Sequence, residues 1–254
     1  MNEKIIIDGI KKSFPNDEII GEESSEHTTI IKSDGFAKRL YPRKRYWVIN
    51  PLDGSTNFST GLHSLTCVSI AYCVGGRPVF GVVYAPGLGE LYVAVENKGT
   101  FCNGERIFQD PKLSVKKVEK AVICNEMGKD IDGVMGKSVD KDTMDELLIA
   151  QTRLKWKGCR SMRQLGSGCL DLCFVASGRL DVVYSGLGSS QRWGPWDYAA
   201  GLVICKEAGC AMESIEEQKI PGCDGFDLYS STMICGVSNE LVSDLRNTLR
   251  KSKA

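Results

Sequence analysis

Three stretches of this chain carry acidic side chains at places where a strand or a helix should end. Gly21-Glu22-Glu23-Ser24 sets two adjacent carboxylates after the short β-branched pair Ile19-Ile20. Asn50-Pro51-Leu52-Asp53-Gly54-Ser55-Thr56-Asn57 follows a β-rich run, turns at Gly54 and offers small hydroxyl residues before an aromatic. Trp196-Asp197-Tyr198-Ala199-Ala200-Gly201 puts an aspartate in the first turn of an apolar helix. Carboxylates grouped in this way suit magnesium, which takes oxygen ligands and keeps waters free for exchange with a substrate. A turn at Gly54 followed by a helix opening near Ser55 would aim backbone N–H groups at an anion such as phosphate, with Asp53 beside them to hold a cation. Taken singly, each acid is also an ordinary cap: Asp53 could close an Asx turn, and Asp197 could sit on a helix dipole.

The elements that must position these acids can be read from periodicity. Ile6, Ile7, Ile10 and Phe14 lie at near-helical spacing ahead of Pro15, so the chain opens in a helix. Ile19-Ile20 gives a short strand, and Tyr46 to Ile49 a second that should stop at Asn50-Pro51. Between them, Lys38, Arg39, Arg43, Lys44 and Arg45 form a basic cluster that reads as a solvated loop. From Ser64 to Phe108, turns at Gly75-Gly76, Pro86 to Gly89 and Asn103-Gly104 separate three or four strands of an antiparallel meander. Gln109 to Val139 has little pattern. Helices follow at Lys141 to Thr152, Gly166 to Ala176, Trp196 to Glu207 and Asn239 to Lys251, with strands at Leu180 to Tyr184 and Thr232 to Cys235. The mixture indicates an α/β or α+β sandwich. It divides into an N-terminal metal- and phosphate-binding half, 1–140, and a C-terminal α/β half, 141–254, within one compact catalytic unit.

Composition narrows the function classes. Of 254 residues, 42% are apolar and 25% charged, enough for a sizeable core under a solvated surface. Thirty-two basic residues balance thirty-two acidic ones, so no global field draws the chain to nucleic acid or to an anionic membrane, and any anion must be held locally. No apolar run approaches the ~20 residues of a membrane span, and Met1 to Lys4 lacks the pattern of a secretory leader. Eleven cysteines, scattered singly without a C-x-x-C, read as reduced core thiols of a cytoplasmic protein. His63 reads as a surface histidine, and Trp193 and Trp196 as packing aromatics.

The three acidic motifs, in this order, resemble the inositol monophosphatase family of magnesium-dependent, lithium-sensitive phosphomonoesterases. The resemblance extends from about Glu3 to the C-terminal helix, through Gly81-Val82-Val83-Tyr84, Gly99-Thr100-Phe101-Cys102-Asn103-Gly104 and Glu207-Ala208-Gly209. It implies a layered α/β/α/β/α sandwich of the sugar phosphatase type, here lacking its first helix, with two or three magnesium ions and a homodimeric assembly. Carried over residue by residue, Glu22 would bind the first ion and orient the attacking water, and the Leu52 carbonyl would add an oxygen to that ion. Asp53 and Asp197 would hold the second ion. Gly54 and Ser55 would bind phosphate through N–H groups, with the Ser55 hydroxyl near the water, and Gly166, Ser167 and Gly168 would line the alcohol side of the substrate. The implied reaction hydrolyses a small phosphate monoester, myo-inositol monophosphate first among them, to the alcohol and phosphate.

Three departures accompany the resemblance. Asn50 stands where the family has an aspartate bridging both metals, and an amide offers one neutral oxygen and two N–H donors. Glu22, Asp53 and Asp197 then supply three negative charges against the four positive charges of two magnesium ions. The family also carries an upstream helix with an aspartate that pairs with the hydroxyl at position 55. Ser185 replaces a family glutamate that contacts a substrate hydroxyl. Two other readings therefore stand beside the first: a catalytically impaired homologue that binds a phosphate ligand or partner, and a related bisphosphate phosphatase.

Overall fold

A computed structural model describes residues 2–23, 45–110, 112–126, 141–187, 193–215 and 232–250. It has two sheets, six helices and two short 3-10 turns among those residues, a mixed α+β fold of the class the sequence indicates. The chain divides into two compact units, Met1–Phe108 with Gly166–Cys173 and Gly194–Ala208, and Gln109–Leu165 with Phe174–Trp193 and Gly209–Ala254. The sequence reading cut the chain once, between 140 and 141. The compact units instead interleave, and the chain crosses from one to the other five times.

The first unit is built on a seven-stranded sheet whose strands follow chain order: β1 (Glu18–Gly21), β2 (Arg45–Asp53), β3 (Cys67–Val74), β4 (Arg77–Ala85), β5 (Glu90–Val95), β6 (Gly99–Cys102) and β7 (Glu105–Ile107). Only β1 and β2 are parallel. From β2 onward each strand pairs antiparallel with the next, so the meander is there, with five strands after β2 rather than three or four. Two of its hairpins turn where both central residues have positive φ, at Gly75-Gly76 and at Asn103-Gly104, the conformation that a two-residue hairpin loop needs. β3 alternates buried and half-buried residues, the period-2 signature of a sheet with one covered face.

Four helices belong to this unit in whole or in part: α1 (Asn2–Ser13), α2 (Ser55–Ser59), the start of α4 (Gly168–Ala176) and α5 (Pro195–Glu207). α5 covers the sheet so closely that a Cβ on Gly81 of β4 would lie 2.6 Å from the Ala200 carbonyl oxygen. The Thr100 hydroxyl donates to the Ile204 carbonyl at 2.7 Å, and the Glu207 carboxylate accepts the N–H groups of Asn97 and Gly99, both at 2.9 Å. Nine of the thirteen residues of α5 are buried, which is why the sequence shows an almost uniformly apolar helix. α1 has no fully buried residue; behind it Phe14, Trp47 and Tyr72 form an aromatic cluster, with Trp47 and Tyr72 centroids 4.7 Å apart.

One expectation changes here. β2 does not stop at Asn50-Pro51 but runs on to Asp53. Asn50 pairs with Ser69 and Asp53 with Cys67, so Pro51 and Leu52 together oppose the single residue Val68. This β-bulge absorbs a proline that has no N–H to give the ladder. The basic cluster lies outside the described residues except for Arg45, which is exposed and pairs with Asp17 at 3.4 Å.

The second unit holds a five-stranded sheet in the order β11 (Ala211–Glu213), β12 (Met233–Gly236), β10 (Val182–Ser185), β8 (Val122–Asn125), β9 (Ser161–Arg163). β8, β9 and β11 are three or four residues long and escape a periodicity reading. α3 (Lys141–Trp156) and α6 (Asn239–Arg250) belong to this unit, and α6 buries Leu241, Val242, Leu245 and Leu249. Asp244 of α6 ties three segments together. One oxygen accepts Lys157 Nζ at 2.6 Å, the other accepts the Val118 N–H at 3.0 Å, and the same Nζ donates to Thr248 at 2.9 Å. No described helix is long and apolar enough to cross a membrane.

Although partial burial opposes it, the Lys157 hydrogen bond, the Val118 N–H and the nearby lysine charges hold the Asp244 carboxyl below its ordinary value. A lowered carboxyl contributes stability that is whole above the unfolded pKa of about 3.9 and is lost as pH falls through the folded value. Asp244→Ala should therefore cost about 2 kcal/mol at neutral pH, measured by denaturant unfolding. The gap to the parent should narrow as pH falls below about 4.

Candidate active site

β2 delivers two of the site's residues, and the bulge decides how. Asn50 and Asp53 lie on either side of the two extra residues, and both are buried, at 1% and 8% exposure. The bulge also takes Leu52 out of register with β3. After Asp53 the chain turns at Gly54 with φ +79°, a left-handed conformation, and a Cβ there would meet the Leu65 carbonyl oxygen at 2.5 Å and that of Gly166 at 3.3 Å. Only glycine fits. Helix α2 begins at Ser55, as the sequence indicated, with Ser55 exposed and Asn57 buried. Asn57 Nδ2 donates to the Leu65 carbonyl at 2.9 Å, closing the loop under the turn.

Gly54, the N-cap of α2, has no side chain to cap it, and the Asp53 carboxylate turns toward the start of α4. Its Oδ2 accepts the Ser167 hydroxyl at 2.5 Å and the Cys169 N–H at 3.0 Å, with the Cys67 thiol at 3.9 Å. Its Oδ1 accepts Asn50 Nδ2 at 3.4 Å. The same Nδ2 donates to Asp197 Oδ1 at 3.1 Å, bridging 147 residues of chain. Asn50 Oδ1 in turn accepts the Leu52 N–H at 3.2 Å.

Asp197 is set by the way α5 starts. Gly194 is the N-cap and Pro195 follows in the first turn, where its missing N–H costs nothing. Asp197, at the third helical position, accepts the Gly194 N–H on Oδ2 at 2.8 Å while its own N–H donates to the Gly194 carbonyl at 3.0 Å. That leaves Oδ1 facing Asn50. The Cys169 thiol donates to the Asp197 carbonyl at 3.3 Å, so α4 supports this residue as well as Asp53.

Glu22 arrives from the neighbouring strand. Gly21 pairs with Ile49 in the parallel β1–β2 ladder and the Glu22 N–H donates to the Ile49 carbonyl at 3.2 Å, which brings Glu22 to the end of the sheet where Asn50 lies. Glu22 and Leu52 are both half-buried. Of the residues expected on the alcohol side, Gly166 is exposed and Ser167 and Gly168 are buried, with the Ser167 hydroxyl directed at Asp53. Glu22, Asn50, Leu52, Asp53, Gly54, Ser55, Gly166, Ser167, Gly168 and Asp197 all belong to the first compact unit, whereas a division between 140 and 141 puts Gly166, Ser167, Gly168 and Asp197 in the other half.

The sequence reading missed the donors that hold Asp53. Ser167 reads locally as a residue ahead of a helix, and nothing within its own stretch announces a partner 114 residues away. The two thiols look like core filler. Asp53, Cys67 and Cys169 offer ligand atoms within 4.8 Å of one another. Burial, with the Asp53 charge adding to it, pushes both thiols up, Cys169 well above the ordinary range. They remain protonated at neutral pH and serve as weak donors rather than nucleophiles.

The donor set Glu22, Asp53, Asp197 and the Leu52 carbonyl is hard oxygen throughout, the chemistry magnesium takes. The half-buried Glu22 and Leu52, at one end of the sheet and beside the bulge, fit one such ion. Asp53 and Asp197 do not fit a second ion shared between them, because the oxygens that would turn to it accept the N–H protons of Asn50.

Residues 1–253 match the inositol monophosphatase family. Inositol monophosphatase 2 of Solanum lycopersicum is 38% identical over 207 residues, covering 82% of this chain and 69% of its own. The fructose-1,6-bisphosphatase/inositol-1-monophosphatase of Thermotoga maritima is 31% identical over 247 residues, 96% of this chain and 81% of its own. Among solved structures, the extragenic suppressor protein suhB of Bartonella henselae superposes with a TM-score of 0.76 at 26% identity, covering 99% of this chain and 82% of that one. The chain belongs to the inositol monophosphatase family.

Gly54 gives a direct test of the turn. Gly54→Ala places a methyl against the Leu65 carbonyl in a backbone conformation that alanine resists, and should cost at least about 1–3 kcal/mol in thermal or denaturant unfolding. A variant as stable as the parent would mean that the turn is not built as described.

Proposed function

We propose that this member of the inositol monophosphatase family hydrolyses phosphate monoesters of small polyols, with myo-inositol monophosphate as the substrate. The observation that carries the reading is the meeting of Asp53 and Asp197 around Asn50, at the sheet end that also bears Glu22 and directly ahead of the glycine turn into α2.

Each step can be assigned to residues of this chain. The first N–H groups of α2 have no acceptor within the helix, and with Gly54 and Ser55 they form a surface for the phosphate oxygens. Binding there turns the phosphorus toward the acids. Glu22 orients the attacking water and takes its proton, with the exposed Ser55 hydroxyl as a second contact to that water. Ser167, Cys169 and Asn50 each hold an oxygen of Asp53 in place. A single magnesium ion on Glu22 and the Leu52 carbonyl would supply Lewis-acid polarisation of the phosphoryl oxygen and lower the pKa of water in the site. The alcohol leaves on the side of Gly166, Ser167 and Gly168, and its oxygen is protonated from solvent. Water and phosphate monoester are consumed, and alcohol and phosphate are released.

The Asn50 hydrogen bonds also favour a second reading. A chain whose acid pair is occupied by an amide could bind a phosphate ester without turning it over. Phosphate release from inositol 1-phosphate and from fructose 1,6-bisphosphate, in a magnesium titration with and without lithium, separates the two. Hydrolysis of the monoester should exceed that of the bisphosphate. Glu22→Gln should keep cooperative melting and lose about 100- to 1,000-fold in rate, the size of effect seen when one positioned electrostatic group is removed. Equal rates for Glu22→Gln and the parent would remove Glu22 from the mechanism. No release from either ester, with phosphate still bound, would leave the binding reading.

A further inference from the structure

Asn50 is 1% exposed, and its amide makes three hydrogen bonds: Nδ2 to Asp197 Oδ1 and to Asp53 Oδ1, and Oδ1 from the Leu52 N–H. The pattern fixes which way the amide faces. Turned over, its oxygen would point at two carboxylates and its protons at an N–H, three repulsions in place of three bonds. We infer that the Asn50 carboxamide is the built-in counter-group of the Asp53–Asp197 pair. It holds the two acids together through its N–H protons and closes the position that a cation shared by them would take. This chain then binds one divalent ion fewer than a chain with an acid at position 50. The inference rests on reading this cluster as the phosphatase site, and it changes what the site requires.

The physical case has three parts. Two carboxylates drawn into a largely buried place need positive charge or donors around them, or one of them takes up a proton. Here the donors are the amide of Asn50, the hydroxyl of Ser167 and the backbone N–H groups of Cys169 and Gly194. The amide also cannot act as a metal ligand through the atom it presents, since a carboxamide N–H2 has donors and no available lone pair. A cation approaching the two Oδ1 atoms from the amide's side meets protons of like sign. Substituting aspartate would replace those protons with a third carboxylate beside the other two, an arrangement that is unstable alone and strongly cation-seeking.

The test uses the full chain, stripped of metal and then titrated with manganese, a magnesium substitute that electron paramagnetic resonance counts directly. Parent, Asn50→Asp and Asn50→Ala are compared, with melting temperature measured in parallel against magnesium. Asn50→Asp should melt below the parent without metal and bind one manganese ion more. Its melting temperature should climb by about 5–10 °C more than the parent's when magnesium reaches roughly a hundred times the dissociation constant. Asn50→Ala opens the same position without adding charge, and it too should gain the ion, which keeps the test decisive if Asn50→Asp fails to fold. Identical manganese counts and identical magnesium shifts in the parent and whichever variants fold would overturn the inference. Phosphate release is scored separately. Equal ion counts with turnover in the parent would sink this inference alone, and a lower count without turnover of any ester would sink the proposed function alone.

Discussion

Two aspartates from distant parts of the chain lie close enough to share one amide, and like charges do not gather in a protein interior unaided. Much of the first unit can be understood as the supply of donors to that pair. β2 contributes Asn50 and, through its bulge, turns Asp53 away from the ladder. The start of α4 contributes the hydroxyl of Ser167, the residue just ahead of the helix, and the N–H of Cys169 in its first turn. α5 contributes the N–H of its own N-cap, Gly194, to the second acid. Each element brings the end at which backbone donors are free, so the site falls where a strand ends and two helices begin.

How much of this could be read in the sequence depends on how local the cause is. The meander was legible because Gly75-Gly76 and Asn103-Gly104 can each adopt the positive φ that a tight hairpin needs, a property of two residues. The helix ahead of Pro15 and the opening of α2 after Gly54 were legible for the same reason. The end of β2 was misjudged because Pro51 normally stops a strand, and only pairing with β3 shows that a bulge accommodates it. The partners that Ser167 and Cys169 offer to Asp53 lie more than a hundred residues on, beyond the reach of any local reading. Strands β8, β9 and β11 are too short for periodicity, and their neighbours in the second sheet define them.

Site and stability share components in the first unit. The close approach of α5 to Gly81 of β4 leaves no room for a side chain at that position, and Gly201 on the same helix lies against Leu172 of α4 in the same way. These contacts fix the axis of α5 and therefore the position of Asp197 in its first turn. The buried thiols of Cys67, Cys169 and Cys173 add polarisable packing around Asp53 without introducing charge, since burial keeps them protonated. Rigidity around the acids thus comes from packed backbone and neutral groups.

The interleaving of the two units sets an order of events during synthesis. The seven-stranded sheet is complete in chain order by Ile107, yet the helix that covers it and carries Asp197 begins only at Pro195. A ribosome must pass through most of the second unit before the first can close. Until then Asn50 and Asp53 belong to a sheet with an uncovered apolar face, and sequence-distant contacts of this kind slow folding and lengthen exposure to aggregation. The acid pair is therefore among the last features of the first unit to form on a nascent chain, and its appearance marks the point at which that unit has become a closed body.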